Sequence, residues 1–161
     1  MKLSLYHRFD EDPNRLWHSS DNHVKDDTIF VFGSNLAGRH GAGAAKYALS
    51  LGARYGTGIG LSGKTYAFPT KDENLNVISI EEISSFVEQF KAFARSTPTE
   101  YFYVSRIGCG LAGYADSQIA PLFDDSPDNC ILPLDWMLYV SLDSTRTASV
   151  AFESSTEPLD M

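Results

Sequence analysis

The sequence predicts an α/β fold with a mixed central sheet. Short runs of β-branched and aromatic residues alternate along the chain with segments of helical periodicity, which is the pattern of strands covered by helices. Two of these runs pass directly into glycine-rich turns, at 33–45 and 106–113. A capping box at 79–82 marks the start of the clearest helix.

The strands are predicted from apolar or aromatic runs that are bounded by turn residues. The run 28–32 is apolar on both faces, which is typical of a central, buried strand. Pro69 has no backbone donor, so the run 65–70 is expected to end there or to lie at an edge of the sheet. The predicted strands are an edge strand within 1–8 and strands at 28–32, 65–70, 101–105, 130–133 and 137–140.

Three helices are predicted between these strands. Residues 43–51 are rich in alanine and stop at Gly52, a suitable C-cap. The helix that opens at the capping box carries apolar residues on one face until Pro98, and Asp116 is expected to cap a third, short helix. The first ~27 residues are predicted to be largely irregular, with loops at 10–13 and 19–22. Further loops or turns are expected at 56–63 and 71–76.

Composition limits the classes of function. The 161 residues predict one domain over 1–142, followed by a polar tail at 143–161 that we expect to be disordered. Two cysteines and no apolar leader favour a cytoplasmic protein, and no run approaches the ~18 apolar residues of a membrane span. The net charge of −8 argues against a basic nucleic-acid-binding surface, but backbone amides can still hold a small anion. No cluster has metal-ligand spacing, and no cofactor is predicted.

The first glycine turn follows the predicted central strand. Phosphate sites are often built from a strand, a glycine-rich turn and the start of a helix. The strand ends at the edge of the sheet, and the glycines and the helix start offer backbone N–H groups to the anion. It is neither a Rossmann fingerprint nor a Walker A loop, because a small third position and a Gly-Lys-Ser/Thr run are both missing. The alternative is that the glycines serve only tight turns and close packing. The candidate ligand-binding residues are Gly33, Ser34, Asn35, Gly41, Ala42 and Gly43.

The second glycine turn strengthens the prediction of a ligand site, because two such turns at the ends of strands can enclose a crevice. Cys109, near a helix start, is a candidate activated nucleophile, and the alternative is a small packing residue. The candidate ligand-binding residues are Ile107, Gly108, Cys109, Gly110, Leu111, Ala112, Gly113 and Tyr114.

Three further side chains are candidates for chemistry. Lys71, just past the second strand, is suited to bind phosphate or to act as a nucleophilic amine, and the alternative is a solvated lysine paired with Asp72. His40 is a candidate general base or phosphate contact. Asn35 can bond a ligand hydroxyl or cap its own turn.

These motifs resemble those of a known superfamily. The run GSNLAGRHGAGAA at 33–45 looks like the first ligand loop of macro domains, which bind ADP-ribose. The run RIGCGL at 106–111 looks like their second, diphosphate-cradling loop, and is most similar to the branch that includes the terminal ADP-ribose protein glycohydrolase. The stretch 28–133 also resembles an uncharacterised group of bacterial and phage proteins with VFGSNLAGRHGAGAA and RIGCGLAGY.

The resemblance implies a three-layer α/β/α macro-like fold with a ligand core at 28–133, and ADP-ribose or a related NAD-derived nucleotide between the two glycine loops. In the glycohydrolase branch a lysine after a threonine attacks the ribose carbon, and Lys71 occupies that place. The branch's catalytic aspartate directly follows Gly-Cys-Gly-Leu, where this chain has Ala112; Asp116 lies four residues further on.

Three functions remain open from the sequence. One is binding of ADP-ribose alone. Another is removal of ADP-ribose from a modified macromolecule, with Lys71, Asp116 and His40 as candidate catalytic residues. The third is a non-catalytic phage or host interaction protein that retains the fold, for which a crevice filled by side chains would be evidence.

Overall fold

A seven-stranded sheet forms the middle layer of the computed structural model, which describes residues 6–19 and 27–140. Its order is β1-β2-β7-β6-β3-β5-β4. The five inner strands are parallel, and the two edge strands pair antiparallel to their neighbours. The strands are β1 (His7–Phe9), β2 (Asp12–His18), β3 (Ile29–Asn35), β4 (Gly60–Ser62), β5 (Thr65–Lys71), β6 (Phe102–Val104) and β7 (Cys130–Pro133).

Helices cover both faces of this sheet. On one face α1 (Gly43–Leu49) packs Ala45 and Ala48 against Phe30 and Phe32 of β3. The other face carries α2 (Ile80–Ser96), α3 (Asp116–Ile119) and the 3-10 turns Ala120–Phe123 and Leu134–Trp136. The prediction of a three-layer α/β/α fold with a mixed sheet is therefore confirmed, and the arrangement is consistent with a macro-like fold.

The longest helix begins where the capping box predicts. Ser79 Oγ accepts a hydrogen bond from the Glu82 amide at 3.2 Å, and Glu82 Oε1 accepts from the Ser79 amide at 3.5 Å. Val87 and Phe90 on its inner face are fully buried. In the described part of the chain no helix has the length and apolarity that a bilayer crossing requires.

The position of β3 decides where a ligand site can lie. It is the inner strand between β5 and β6, and residues 30–32 are almost completely buried, as the sequence predicts. The chain passes from β3 to β5 on one side and then returns to β6 on the other. The carboxyl end of β3 is thus the point where the connections diverge, and open α/β sheets place a crevice there.

The loop predicted at 10–13 is confirmed for residues 10 and 11, which form a turn, and is wrong for 12 and 13, because β2 begins at Asp12. Polar residues made this strand unrecognisable. Arg15 and His18 are fully buried, and each is satisfied by backbone carbonyls, Arg15 by those of Ser126 and Cys130 and His18 by that of Val104. Residues 1–5 of the predicted first strand and 20–22 of the second loop lie outside the described residues, as does the predicted tail.

The other differences between the predicted and the observed elements are confined to short segments. Residues 60–62 of the predicted loop pair with β5 as strand β4, and residues 137–140 form a turn rather than a strand. β5 does not end at Pro69 but continues to Lys71. Because β4 pairs only with residues 65–67, the backbone N–H that Pro69 lacks is not needed for a hydrogen bond to β4. Asp116 is the first residue of α3, and Ala115 holds the cap position instead.

Candidate functional site

A cavity of about 510 Å³ opens at the carboxyl ends of β3, β5 and β6. This volume lies within the range that is usual for small-molecule binding sites. Both glycine turns line it, so the structure brings the two predicted loops together. The lining residues are Gly33, Ser34, Asn35, Arg39, Gly41, Ala42, Gly43, Ala44, Ala45, Thr70, Lys71, Leu75, Ser105, Arg106, Ile107, Gly108, Cys109, Gly110, Leu111 and Ala112.

We call residues 33–45 the first loop. A segment behind it, 54–58, holds it in place through backbone contacts. The Ser34 hydroxyl donates to the Gly58 carbonyl at 2.5 Å, and the Gly56 amide donates to the Gly38 carbonyl at 2.8 Å. A Cβ on Gly58 would lie 2.3 Å from the Asn35 carbonyl oxygen, so only glycine permits this approach. Ser34 is therefore engaged in holding the loop.

His40 has a structural position. Its ring is buried, and Nε2 lies 3.1 Å from the carbonyl oxygens of both Arg54 and Thr57, so this nitrogen must carry the hydrogen. The ring edge also packs on Phe32 at a centroid distance of 5.1 Å. His40 does not line the cavity. The expectation of a general base or phosphate contact has no support in this geometry, because the imidazole bonds the segment 54–58 and does not line the cavity.

Asn35 caps its own turn, which is one of the two roles expected for it. Its Nδ2 donates to the Arg39 carbonyl at 2.9 Å, and its Oδ1 accepts from the Arg39 amide at 3.0 Å. The turn places Arg39 at the cavity with an exposed side chain. Within 6–19 and 27–140 the guanidinium of Arg39 has no hydrogen bond or ion pair.

The first loop ends in α1, whose first residues line the cavity. The helix has only seven residues and stops at Leu49, two residues before the predicted end. The N-cap residue is Ala42, whose side chain cannot accept a hydrogen bond. The backbone amides of the first helical turn therefore have no capping side chain to donate to. Around Gly41 and Gly43 the space that a Cβ would take is open. The backbone is thus accessible here.

We call residues 106–114 the second loop. It closes on itself through three backbone hydrogen bonds: the Cys109 amide to the Arg106 carbonyl at 3.1 Å, Gly113 to Gly110 at 3.0 Å and Tyr114 to Gly108 at 2.8 Å. Gly108 has a φ of +79°, which a side-chain-bearing residue rarely adopts.

Other amides of the second loop have no partner. In the part of the chain that the structure describes, the amides of Gly108, Gly110, Leu111 and Ala112 donate to no protein acceptor, although all four residues line the cavity. Successive unbonded amides of this kind are the groups with which a backbone binds an anion.

Gly113 and Tyr114 lie outside the cavity lining. The Tyr114 hydroxyl donates to the Ile78 carbonyl at 2.7 Å. This bond ties the end of the second loop to the segment that connects β5 and α2. Both residues were expected to contact ligand, and the structure instead gives Tyr114 the role of fixing the loop.

Asp116 also lies outside the lining, and its carboxylate is fully engaged. It accepts two hydrogen bonds from the Arg106 guanidinium, at 2.6 and 3.1 Å, and one from Trp136 Nε1 at 2.8 Å. Hydrogen bonding to Arg106 holds the pKa of Asp116 below its usual range. Because this carboxylate is bonded to Arg106 and Trp136 and lies outside the lining, Asp116 positions Arg106 and does not reach the cavity as the predicted catalytic residue would.

Cys109 is half-buried against the larger core cluster. Burial first, and then the neighbouring Asp116 carboxylate, raise the pKa of its thiol to about 12. Because the thiolate is the nucleophile, the packing role is the one that fits this residue.

Lys71 is the last residue of β5 and lines the cavity. It is not paired with Asp72, whose carboxylate accepts instead from the amides of Asn74 and Asn76 at 2.8 and 3.0 Å. No described residue forms a hydrogen bond or ion pair with the Lys71 ammonium. Lys71 is therefore available to a ligand.

The lining is positively charged, although the chain carries a net charge of −8. Of its described residues, Arg39, Lys71 and Arg106 are cationic and none is an aspartate or glutamate. Sequence reasoning did not select seven of the lining residues as site residues: Arg39, Ala44, Ala45, Thr70, Leu75, Ser105 and Arg106. Thr70 and Ser105 were recognisable, since they lie at strand ends that face the same crevice.

Comparison with known proteins adds no assignment. No protein-family model matches the chain, and neither a curated protein nor a solved structure is significantly similar to it. Across the described residues there is no group of three or more His, Cys, Asp or Glu side chains placed to hold a metal ion.

The contact between Gly58 and the first loop can be tested by substitution. Gly58→Ala forces a methyl group against the Asn35 carbonyl, and we expect it to lower the free energy of unfolding by about 1–3 kcal/mol. Gly41→Ala is the matched control, because its Cβ meets open space, and it should change stability by no more than about 0.5 kcal/mol. Urea unfolding measures both variants. Equal stability of the two would refute the close contact.

The state of Cys109 predicts slow alkylation. At pH 8 only about one thiol in ten thousand is ionised when the pKa is about 12. Iodoacetamide should therefore label the folded protein far more slowly than the urea-unfolded protein, and the folded rate should still be rising with pH above 9. Cys130 is fully buried with a pKa also raised to about 12, so Cys130→Ala isolates Cys109. Rapid labelling at neutral pH would show an activated thiol.

Proposed function

We propose that this protein binds ADP-ribose or a related NAD-derived nucleotide, with the diphosphate between the first and second loops. The observation that carries the proposal is one cavity that combines unpaired backbone amides of the second loop with three cationic side chains and no carboxylate among its described lining residues.

The charges specify an anionic ligand. Arg39, Lys71 and Arg106 approach the cavity from the first loop, β5 and the second loop, so they surround it. Arg106 is partly neutralised by Asp116, whereas Arg39 and Lys71 have no counter-ion in the described residues. A diphosphate supplies two or more negative charges and several acceptors, which is what two cations and a row of amides can satisfy.

The motifs support a nucleotide diphosphate over a simple anion. The runs at 33–45 and 106–111 resemble the two ADP-ribose loops of macro domains, and both lie against the cavity. About 510 Å³ is also more space than phosphate alone requires. The cavity is open, which favours a ligand over the alternative of an interaction protein that works only through its surface.

Removal of ADP-ribose from a modified macromolecule is a second candidate activity, and the unpaired Lys71 favours it. Its amine could attack the ribose carbon only after losing a proton. Within the described residues no carboxylate or imidazole lines the cavity to accept that proton: position 112 is alanine, Asp116 is bound to Arg106, and His40 is buried behind the first loop. Binding is therefore the activity that the geometry supports best.

Calorimetric titration with ADP-ribose tests the proposal. We expect saturable binding, and a loss of affinity of about tenfold in Lys71→Ala, because a charge-assisted contact to phosphate is lost. Lys64→Ala is the control of equal charge change, since Lys64 lies outside the cavity and bonds the Asp27 carbonyl. Absence of both heat and thermal shift at millimolar ADP-ribose would refute the proposal.

The same variants separate binding from catalysis. Release of ADP-ribose from a modified protein or nucleic acid is measured for the wild type and for Lys71→Ala. Release by the wild type alone, at a substrate concentration that saturates both proteins, would establish Lys71 as a catalytic residue. Equal rates would exclude it as the nucleophile, and no release from either would leave binding as the activity.

A further inference from the structure

Arg106 differs from the other two cations of the cavity because carboxylates hold its side chain from one side. Its Nε donates to Asp116 Oδ1 at 3.1 Å and its Nη2 to Asp116 Oδ2 at 2.6 Å. Asp135 Oδ2 lies 3.9 Å from the same Nε. Arg106 lines the cavity, whereas neither carboxylate does. The groups that hold this guanidinium therefore contact it through the edge formed by Nε and Nη2.

Asp116 is itself held by the core. Its Oδ1 accepts a hydrogen bond from Trp136 Nε1 at 2.8 Å. Trp136 is fully buried, and its ring packs on that of Phe123 at a centroid distance of 5.0 Å. The guanidinium of Arg106 is thus tied by two hydrogen bonds to a carboxylate that cannot easily move. A side chain that is already fixed loses less conformational entropy when a ligand binds to it.

The opposite edge of this guanidinium is free. Arginine carries five N–H donors, of which Asp116 takes two. Nη1 and the second hydrogen of Nη2 donate to no acceptor in the described part of the chain. These two nitrogens are spaced to bond two oxygens of one phosphate at the same time. The cavity therefore has a donor fork whose orientation is set before any ligand binds.

Charge alone would not assign an important role to Arg106. Asp116 offsets much of its positive charge, so Arg39 and Lys71 attract an anion more strongly as point charges. Arg106 offers direction instead, in the form of two donors at a fixed spacing and angle. The two contributions can be separated by experiment, because lysine keeps the charge of arginine but lacks its planar fork.

We propose that Arg106 binds one phosphate of the ligand through its Nη1–Nη2 edge, and that Asp116 is a positioning residue that fixes this fork from behind; the inference rests on the proposed function. Arg39 and Lys71 then supply most of the attraction, and Arg106 determines where a phosphate lies. Asp116 increases the affinity for an anion although it is negatively charged, because the orientation that it gives to Arg106 outweighs its own repulsion.

Calorimetric titration of Arg106→Lys tests the fork. Its affinity should fall about tenfold both for ADP-ribose and for ADP, which share the diphosphate, because one ammonium replaces two directed hydrogen bonds. The variant keeps the positive charge opposite Asp116, so we expect it to fold. Arg95→Lys is the matched control: Arg95 also lies beside an aspartate, Asp125, but outside the cavity, and its replacement should leave both affinities unchanged.

Asp116→Asn separates positioning from electrostatics. If Asp116 acted only through its charge, its neutralisation would raise the affinity for an anion. We expect instead a loss of about three- to tenfold, which is absent when the same substitution is made in Arg106→Ala.

Magnetic resonance detects the contact itself. The Nη–H signals of Arg106, identified by their absence in Arg106→Lys, should sharpen when ADP-ribose binds, because bonds to both nitrogens slow rotation about Cζ–Nη. An ion pair with a purely structural role would leave these signals unchanged.

The outcomes distinguish the two proposals. If the wild type binds ADP-ribose and Arg106→Lys binds it equally well, or if Asp116→Asn binds it more tightly, the inference is wrong and the proposed function stands. An equal loss in Arg95→Lys, or a loss for ADP-ribose without one for ADP, would also overturn the inference. If Asp116→Asn does not fold, Arg106→Lys and the Nη–H signals decide. If the wild type binds neither ligand, both proposals fail.

Discussion

The cavity depends on a close backbone contact between the first loop and the segment 54–58. A Cβ on Gly38 would lie 2.3 Å from the carbonyl carbon of Gly56, and one on Gly58 would lie 2.3 Å from the Asn35 carbonyl oxygen. These glycines let two stretches of main chain approach more closely than any side chain allows. The turn that Asn35 caps, the exposed Arg39 and the start of α1 all belong to the loop that this contact holds, and they form one wall of the cavity.

The opposite wall depends on one charged group that does not line the cavity. Asp116 orients Arg106 through two hydrogen bonds and is itself held by Trp136. Burial and, after it, this carboxylate raise the pKa of the Cys109 thiol. The pKa of Asp116 is depressed, so the stability that its ionised form contributes is present at neutral pH and is lost as the pH falls below the ordinary aspartate range. Asp116 and His40, two of the three residues that suggested catalysis, thus hold the shape of the site.

Much of the fold could be predicted because its signals are local. The capping box at Ser79 and the buried run of β3 require no knowledge of neighbours. β2 was missed because Arg15 and His18 are buried, which only distant carbonyls make favourable. β4 was missed because it has only three residues, in a glycine-rich segment, which is too short to show the alternation of a strand. This strand is defined by its pairing with β5.

The site was predictable in outline for the same reason. Two glycine turns after strands indicated a shared crevice, and the structure brings them to one cavity. The sequence could not separate residues that face the cavity from those behind it, as His40 and Asp116 illustrate. Nor could it show that Leu75 has positive φ, since the hydrogen bonds of the whole turn impose that conformation.

The most direct test of the central claim is an amide chemical-shift titration of ¹⁵N-labelled protein with ADP-ribose. If the diphosphate lies between the two loops, the largest shifts should fall on the unbonded amides of Gly110, Leu111 and Ala112 and on those at the start of α1. A concave region at the opposite end of the sheet, near Asn14, Arg95 and Asn129, should not respond. Shifts concentrated there, or no shifts at saturating ligand, would contradict the account.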